Sequence, residues 1–334
     1  MARTERTYVA GPDDAGRRLD RLLRRLLPDL GLSAIYKLLR SGGIRLDGAK
    51  ASPAALVQSG AKITLRLPSP EQGPKSGGRP DNGAGASAFA LAGMVLAETA
   101  DIVVVNKPRG MLTHGPGGLD ELCRAHFGDR MASSLAFRPA PLHRLDRNTS
   151  GAVAVSASIK GARAFSSSLR AEELVKEYLA VLDGILSEPA RWEDELARDE
   201  DRRATVESER GRRAVTLVTP LASSGGRTLV RLRLVTGLTH QIRAQAAIHG
   251  HPLSGDAKYG GSARGGGYLL HCVLLSCPAW PDADSPGTVL APLPPNAQAL
   301  IRDMFGPAAA KACEGACTPE SPLNEQKSDD ICLD

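Results

Sequence analysis

The sequence predicts an α+β protein in which a small, basic α/β module precedes a larger body built on a mixed or antiparallel β-sheet. Three observations lead there. Residues 1–67 combine a leucine stripe with arginines and two strand-like runs, residues 68–89 are rich in Pro, Gly and Ser, and residues 90–306 hold strand-like runs with only intermittent helices. Runs ordered in that way favour α+β over a regular βαβ repeat. A chain of 334 residues with 42% hydrophobic content suits two domains, at about 150 residues each, and has ample apolar material for a core.

In the module, Leu19, Leu22, Leu23, Leu26, Leu27 and Leu30 form one apolar helical stripe, and Pro28 should end that helix. A second helix over "SAIYKLLRSGG" has Ser33 as its candidate cap and Gly42 or Gly43 as its stop. "IRLDGAKA", turning at Asp47-Gly48, and "AKITLRL" then alternate like strands. Residues 68–89 have linker chemistry, flexible and poor at burying anything. In the body, "DIVVVNKP", "GAVAVSAS", "KEYLAVLDG" and "TLVRLRLVTG" read as strands, "GARAFSSSLRAEEL" and "HQIRAQAAIHG" as helices. From residue 307 the composition predicts a disordered acidic tail.

Charge divides along the same boundaries. Residues 1–67 carry 13 basic against 6 acidic side chains, residues 307–334 only 2 against 6. A basic module at one end of a chain is an electrostatic footprint for nucleic acid, although charge alone is equally compatible with a solvated surface. No apolar run approaches the ~18 residues of a membrane span. The start, "MARTERTYVAGPDD", has no apolar h-region, and six scattered cysteines suit a reducing compartment better than a disulfide scaffold. The expectation is a cytoplasmic monomer with RNA as its partner and no membrane association. There is no dinucleotide fingerprint and no Walker-type loop. His249-x-His251 and the Cys313/Cys317 pair are too sparse for a metal site, so neither metal nor cofactor is expected.

Four stretches could carry chemistry. "HRLDRNTSG" (143–151) sets Asp146 in a polar loop ahead of a strand, where a carboxylate either caps turn amides or works as a reactive group held by rigid scaffolding. "VNKPRGMLTHG" (105–115) follows a strand, and Pro108 and Gly110 force the path beside Lys107. "VKEYLAVLDG" (175–184) puts Tyr178 at the mouth of a strand, a position also open to an ordinary half-buried tyrosine. "VTGLTHQIRAQAAIHGHPLSGDAKYGG" (235–261) places Arg243 in the first turn of a helix. There the dipole disfavours a cation by a few tenths of a kcal/mol or more. A buried carboxylate partner would explain that placement, and so would solvent exposure.

Together and in this order, these stretches resemble the RluA-type pseudouridine synthase family: "NKPxG", "HRLD" followed by "TSG", "KEY", "THQIR", then "HPLSGDxKYG". The resemblance runs from about Leu96 to the strand "YLLHCVLLSCP". Residues 15–68 resemble the S-four-type RNA-binding domain, named after a ribosomal protein. On "SAIYKLLRSGGIRLDG" and "HRLDRNTSG", the large-subunit rRNA synthase C branch is the most similar one.

The resemblance implies an isomerase that converts uridine in RNA to pseudouridine, with 23S rRNA as its substrate and tRNA as the alternative. Asp146 would act on the ribose, by attacking the anomeric carbon or by removing a proton from the neighbouring carbon. Tyr178 would pack on the base and remove its proton, and Arg243 would pair with the aspartate. His143 and Arg144 would fill the space left by the flipped base, since such a base must leave its stack. Lys107, His240, Gln241 and Leu270 complete the implied substrate site, Lys107 mainly by supporting the loop. Arg17, Arg18, Arg21, Lys37, Arg40 and Arg45 are the implied RNA contacts of the module. The electrostatics are coherent, because burial raises a carboxylate's pKa and an adjacent arginine lowers it by about 1–3.

Leu238 and Tyr268 depart from the family, which carries basic residues there; each departure removes a possible phosphate contact. A kinase reading of "HRLDRN" fails, because Leu145 interrupts His-Arg-Asp and no Asp-Phe-Gly exists. An RNA-binding or ribosome-assembly protein without turnover is the non-enzymatic rival, opposed by the joint presence of Asp146, Tyr178 and Arg243.

Overall fold

The computed structural model describes residues 3–68, 91–127, 134–135, 137–202, 204–277 and 287–315. In the module, α1 (Leu19–Leu26) and α2 (Leu32–Ser41) cover a three-stranded antiparallel sheet in the order β1 (Arg3–Val9), β3 (Lys62–Pro68), β2 (Ile44–Leu46). The predicted stripe does the packing: Leu19, Leu22 and Leu23 are fully buried against Ile35, Ile44, Ile63 and Leu65. Helix α1 stops ahead of Pro28, and α2 closes on Gly42 in the left-handed region at φ 76°.

Two expectations need correction here. Gly31, not Ser33, caps α2, because the helix begins at Leu32 and leaves Ser33 inside its first turn. The sheet also has a third strand: β1 pairs with β3 along its whole length, although Arg3, Glu5 and Arg6 had hidden any apolar period.

The body is one large mixed sheet. Its strands are β4 (Val95–Glu98), β5 (Ile102–Lys107), β6 (Ala140–Pro141), β7 (Ser150–Ser156), β8 (Val175–Asp183), β9 (Ala190–Asp199), β10 (Ala204–Glu207), β11 (Arg212–Ser224), β12 (Arg227–Leu234), β13 (Leu270–Ser276) and β14 (Thr288–Leu290). They run in the order β10-β9-β11-β12-β8-β13-β7-β5-β4, with β14 beside β13 and β6 beside β7. All pairs are antiparallel except β13 with β7. Helices α3 (Leu119–His126), α4 (Ile159–Arg170), α5 (Gln241–Ile248) and α6 (Pro295–Gly315) complete it. Strands β9 and β11 escape a sequence reading, since charged and polar side chains interrupt their period.

The central strands β7, β8 and β13 are buried along nearly their whole length, as continuous apolar runs should be. Their register sets one row across the sheet, Gly151 beside Cys272 beside Tyr178. Gly151 has φ 114°, and a Cβ there would strike the Cys272 carbonyl, so the "TSG" turn needs glycine for both dihedral and space.

The tail expectation also changes. Residues 307–315 continue α6 beyond a kink at Gly306-Pro307, with Ala309 and Cys313 buried against Leu179 and Val273 of the sheet. Small apolar residues in "PAAAKAC" make that packing possible where composition alone suggested none. Residues 316–334 lie outside the described residues, as does nearly all of the expected linker. Module and body also touch: buried Asp14 accepts hydrogen bonds from Ser134 Oγ and the Leu135 amide, both at 2.7 Å. Among the described residues no helix is long and apolar enough to cross a membrane.

Candidate active site

Asp146 sits in the loop entering β7, and both flanks of that loop are braced by the 107–113 segment. Thr113 Oγ1 donates to the Leu145 carbonyl at 2.8 Å and accepts from its amide at 3.2 Å. On the other side, the Gly110 amide and Arg147 carbonyl bond at 2.8 Å, and Arg147 Nε returns a bond to the Gly110 carbonyl. Lys107 is fully buried, and its Nζ donates to the carbonyls of Pro108, Met111 and Arg147. Burial pulls its pKa down to about 8, against the attraction of Asp146. Lys107 therefore acts as a brace, and its ammonium is spent on protein carbonyls.

Of the two explanations for Arg243 in the first turn of α5, the structure shows the buried carboxylate partner. Arg243 Nε and Nη2 form a fork on Asp256 at 2.6 and 2.8 Å, and its Nη1 reaches Asp146 Oδ2 at 3.3 Å. The rings of Tyr259 and Tyr268 each lie 4.8 Å from its guanidinium carbon. Burial opposes the Arg243 charge, but the hydrogen bonds to Asp256 and the surrounding anionic field hold its pKa above the usual value. A bidentate carboxylate and aromatic faces on the same guanidinium fix its aim as well as its charge.

His240 caps α5 in the left-handed region, at φ 56°, an arrangement that costs about 1–3 kcal/mol in a non-glycine residue. Tyr259 Oη accepts from the Thr205 amide at 2.9 Å and is hydrogen-bonded to His240 Nδ1, also at 2.9 Å. The other ring nitrogen, Nε2, lies 3.6 Å from Asp146 Oδ2. Burial lowers the His240 pKa, partly countered by Asp146. Both approaches to Asp146 fall on Oδ2, and among the described residues none donates a hydrogen bond to Oδ1.

Asp146, Arg144, Tyr178, His240, Arg243 and Leu270 line one cavity of about 490 Å³. That volume falls in the ~300–1,000 Å³ range of small-molecule sites. Tyr178 is 5% exposed; burial, with the adjacent Cys272, raises its phenol well above 10. Leu270 offers an apolar wall.

Two further expected site residues line the cavity but have their polar atoms committed elsewhere. Gln241 Oε1 accepts from Thr236 and from the Leu238 amide, while its Nε2 donates to Val215 and Thr216, which exhausts the amide. His143 stacks on Phe165, and its Nε2 accepts the Ala154 amide at 3.0 Å. Burial and the nearby Lys176 charge push the His143 pKa down to about 3. His143 thus pins the loop to β7, while Arg144 is exposed and lines the cavity.

Asp256 and Tyr259 have no assigned role in a sequence reading, although "SGDAKYG" contains both. Tyr268 stacks on Arg243, so this departure adds a ring as well as removing a cation. Leu238 packs with Ala244 and Tyr259, behind the same arginine.

The carboxylate of Asp146 is thus held beside a buried arginine at the wall of a cavity. Residues 101–247 match the family RNA pseudouridylate synthase. The chain is 31% identical over 258 residues to the Ribosomal large subunit pseudouridine synthase C of Escherichia coli (strain K12), covering 74% of this chain and 77% of that one. It is 28% identical over 310 residues to the Uncharacterized RNA pseudouridine synthase YlyB of Bacillus subtilis (strain 168), covering 89% and 97%. Its fold is shared with Human RNA Pseudouridylate Synthase Domain Containing 4, at TM-score 0.53 and 22% identity over 64% of this chain and 93% of that one. The chain belongs to the RNA pseudouridylate synthase family, and it is an isomerase acting on RNA.

Proposed function

We propose that the chain isomerises uridines of 23S rRNA in the cytoplasm, with Asp146 as the reacting carboxylate. The observation that carries the assignment is the asymmetry of Asp146: Arg243 and His240 address Oδ2, while Oδ1, in the cavity that Tyr178 and Leu270 line, makes no hydrogen bond among the described residues. Attack on the anomeric carbon and removal of a neighbouring ribose proton both require that combination of a fixed aim and a free oxygen. Arg243 keeps the carboxylate ionised and aimed before it reacts and again when it is released, and Leu270 and Tyr178 enclose the detached uracil while it turns to rejoin through carbon five, whose proton is replaced in the balance by one gained at nitrogen one.

Tyr178 carries its proton at neutral pH, because burial makes the phenolate costly. Its role is therefore packing on the base; removal of the carbon-five proton by this phenol would first require its own deprotonation. The ribosomal substrate is favoured by similarity to a large-subunit synthase and by the basic module, which resembles an S-four-type domain.

The test is pseudouridine mapping in total RNA from strains with the gene, without it, and carrying Asp146→Asn. Loss at a few large-subunit sites without the gene, unrestored by Asp146→Asn, is the expected result. Removing the working carboxylate should cost at least about 10³–10⁴ in rate while RNA binding persists. Loss confined to tRNA would overturn the substrate, and restoration by Asp146→Asn would overturn the carboxylate.

A further inference from the structure

A second concavity, larger than the first, abuts the Asp146 loop. It measures about 680 Å³ and is lined by Asn106, Arg109, Asn148, Arg264, Tyr268 and Leu300, among others. The loop turns Asp146 and Thr149 toward the first cavity, Asn148 and Ser150 toward the second, and Leu270 borders both. Tyr268 joins them, with its ring on Arg243 at 4.8 Å and under Arg109 at 5.4 Å. Arg109 also donates to the Tyr268 carbonyl and lies where a side chain at Gly267 would stand, so "RGGGY" makes room for it.

Arg264 is the unexplained member. Its Nη1 is shut off from solvent and has no hydrogen-bond partner. Its charged neighbours are Arg109 and Arg227, and Arg227 already faces Asp183 at 3.6 Å. Burial, then repulsion from those two cations, lowers the Arg264 pKa. Asp303 lines the same cavity, and among the described residues no ion pair joins a carboxylate to Arg109 or Arg264. Two neighbouring guanidiniums without a carboxylate between them carry an uncompensated cost, and their natural complement is an anion with several acceptor oxygens.

We propose that this second cavity is a phosphate site for the substrate strand, in which Arg264 and Arg109 hold a phosphodiester next to the uridine whose base enters the first cavity. The site rests on the reading of the first cavity as the uridine pocket. It fixes the strand's path across the loop, so that backbone contact on one face aims the ribose at Asp146 on the other.

The experiment compares full-length wild type, Arg264→Gln, Arg109→Gln and Arg264→Lys. Binding of a decauridylate is measured across salt concentrations, and pseudouridine formation on RNA from the gene-deletion strain is followed for KM and kcat. For one lost contact to a single-strand phosphate, the slope of log affinity against log salt should fall by about 0.7 in each Gln variant. Affinity should drop about tenfold, the usual worth of one charged hydrogen bond. KM should rise with kcat nearly unchanged, and Arg264→Lys should keep the slope. Unchanged slopes in both Gln variants, with an active wild type, would overturn the phosphate site. A wild type that forms no pseudouridine would instead overturn the uridine-pocket reading. A fall in kcat with an unchanged slope would show a structural role and overturn the phosphate site equally.

Discussion

In the module, Arg21, Lys37 and Arg40 stand in solvent and make no side-chain hydrogen bonds among the described residues, whereas in the body the Arg243 side chain is 8% exposed and meets two carboxylates and two aromatic rings. The two regions use positive charge in opposite ways. An exposed cation loses little on folding, acts over about one Debye length, ~10 Å at 0.1 M salt, and is screened. A buried one is costly to desolvate and returns that cost as geometry, largely insensitive to salt. Arg17, Arg18 and Arg45 stand between these extremes, held by the Asp13 carbonyl, the Asp20 carboxylate and the Gly48 carbonyl. Their capacity for RNA is correspondingly reduced, and Arg21, Lys37 and Arg40 are the stronger candidates of the six.

The comparison breaks most visibly at Asp256. Asp256→Asn keeps the shape but strips Arg243 of its charged fork, leaving the 3.3 Å contact to Asp146 as its one carboxylate contact. Breaking a buried pair costs about 3–5 kcal/mol, so urea unfolding should report a stability loss of that order. Pseudouridine formation should fall too, because the arginine no longer has a fixed aim. A variant of wild-type stability would mean that the stacking tyrosines, and not Asp256, hold Arg243.

That dependence also explains what a sequence reading delivers and where it stops. The meeting of Asp146, Tyr178 and Arg243 at one cavity is legible because their motifs fix residue type at fixed places, and the stripe of α1 is legible because burial repeats with the helix. Asp256 is not, since its importance arises only when α5 and the loop after it fold back to bring residues 243 and 256 together. Gln241 and His143 misled for a related reason. Composition marks a polar side chain as available, whereas the fold decides whether its hydrogen bonds are already taken. Strands β1 and β9 were hidden because strands with one solvated face tolerate charge.

A smaller effect sharpens the buried half of the comparison through pH. His143 is held neutral, its pKa pushed from 6.5 to about 3. Between those values the unfolded chain binds a proton that the folded chain refuses, so this contribution to stability is whole above pH 6.5 and is lost as pH falls toward 3. His271, lowered to about 4 by burial, acts in the same direction. Urea midpoints should therefore decline from about pH 7 to about pH 4.5, and His143→Asn, which still offers an oxygen to the Ala154 amide, should flatten that decline. An equally steep decline in the variant would remove His143 from the account.

The smallest expected effects lie on the exposed half, in single substitutions Arg21→Gln, Lys37→Gln and Arg40→Gln. Each of these side chains is exposed and has no partner to lose among the described residues, so melting temperatures should stay at the wild-type value. Each residue that meets a phosphate should lower the salt dependence of RNA binding by about 0.7–0.9 in slope. Asp256→Asn should do the reverse, lowering stability with the salt slope intact, because its charge partner lies inside the fold. A module variant that unfolded earlier would show that its cations are structural, and an Asp256→Asn chain with a flattened slope would show that Arg243 reaches the backbone of the RNA. Either result would merge two uses of charge that the exposures and partners of these residues set apart.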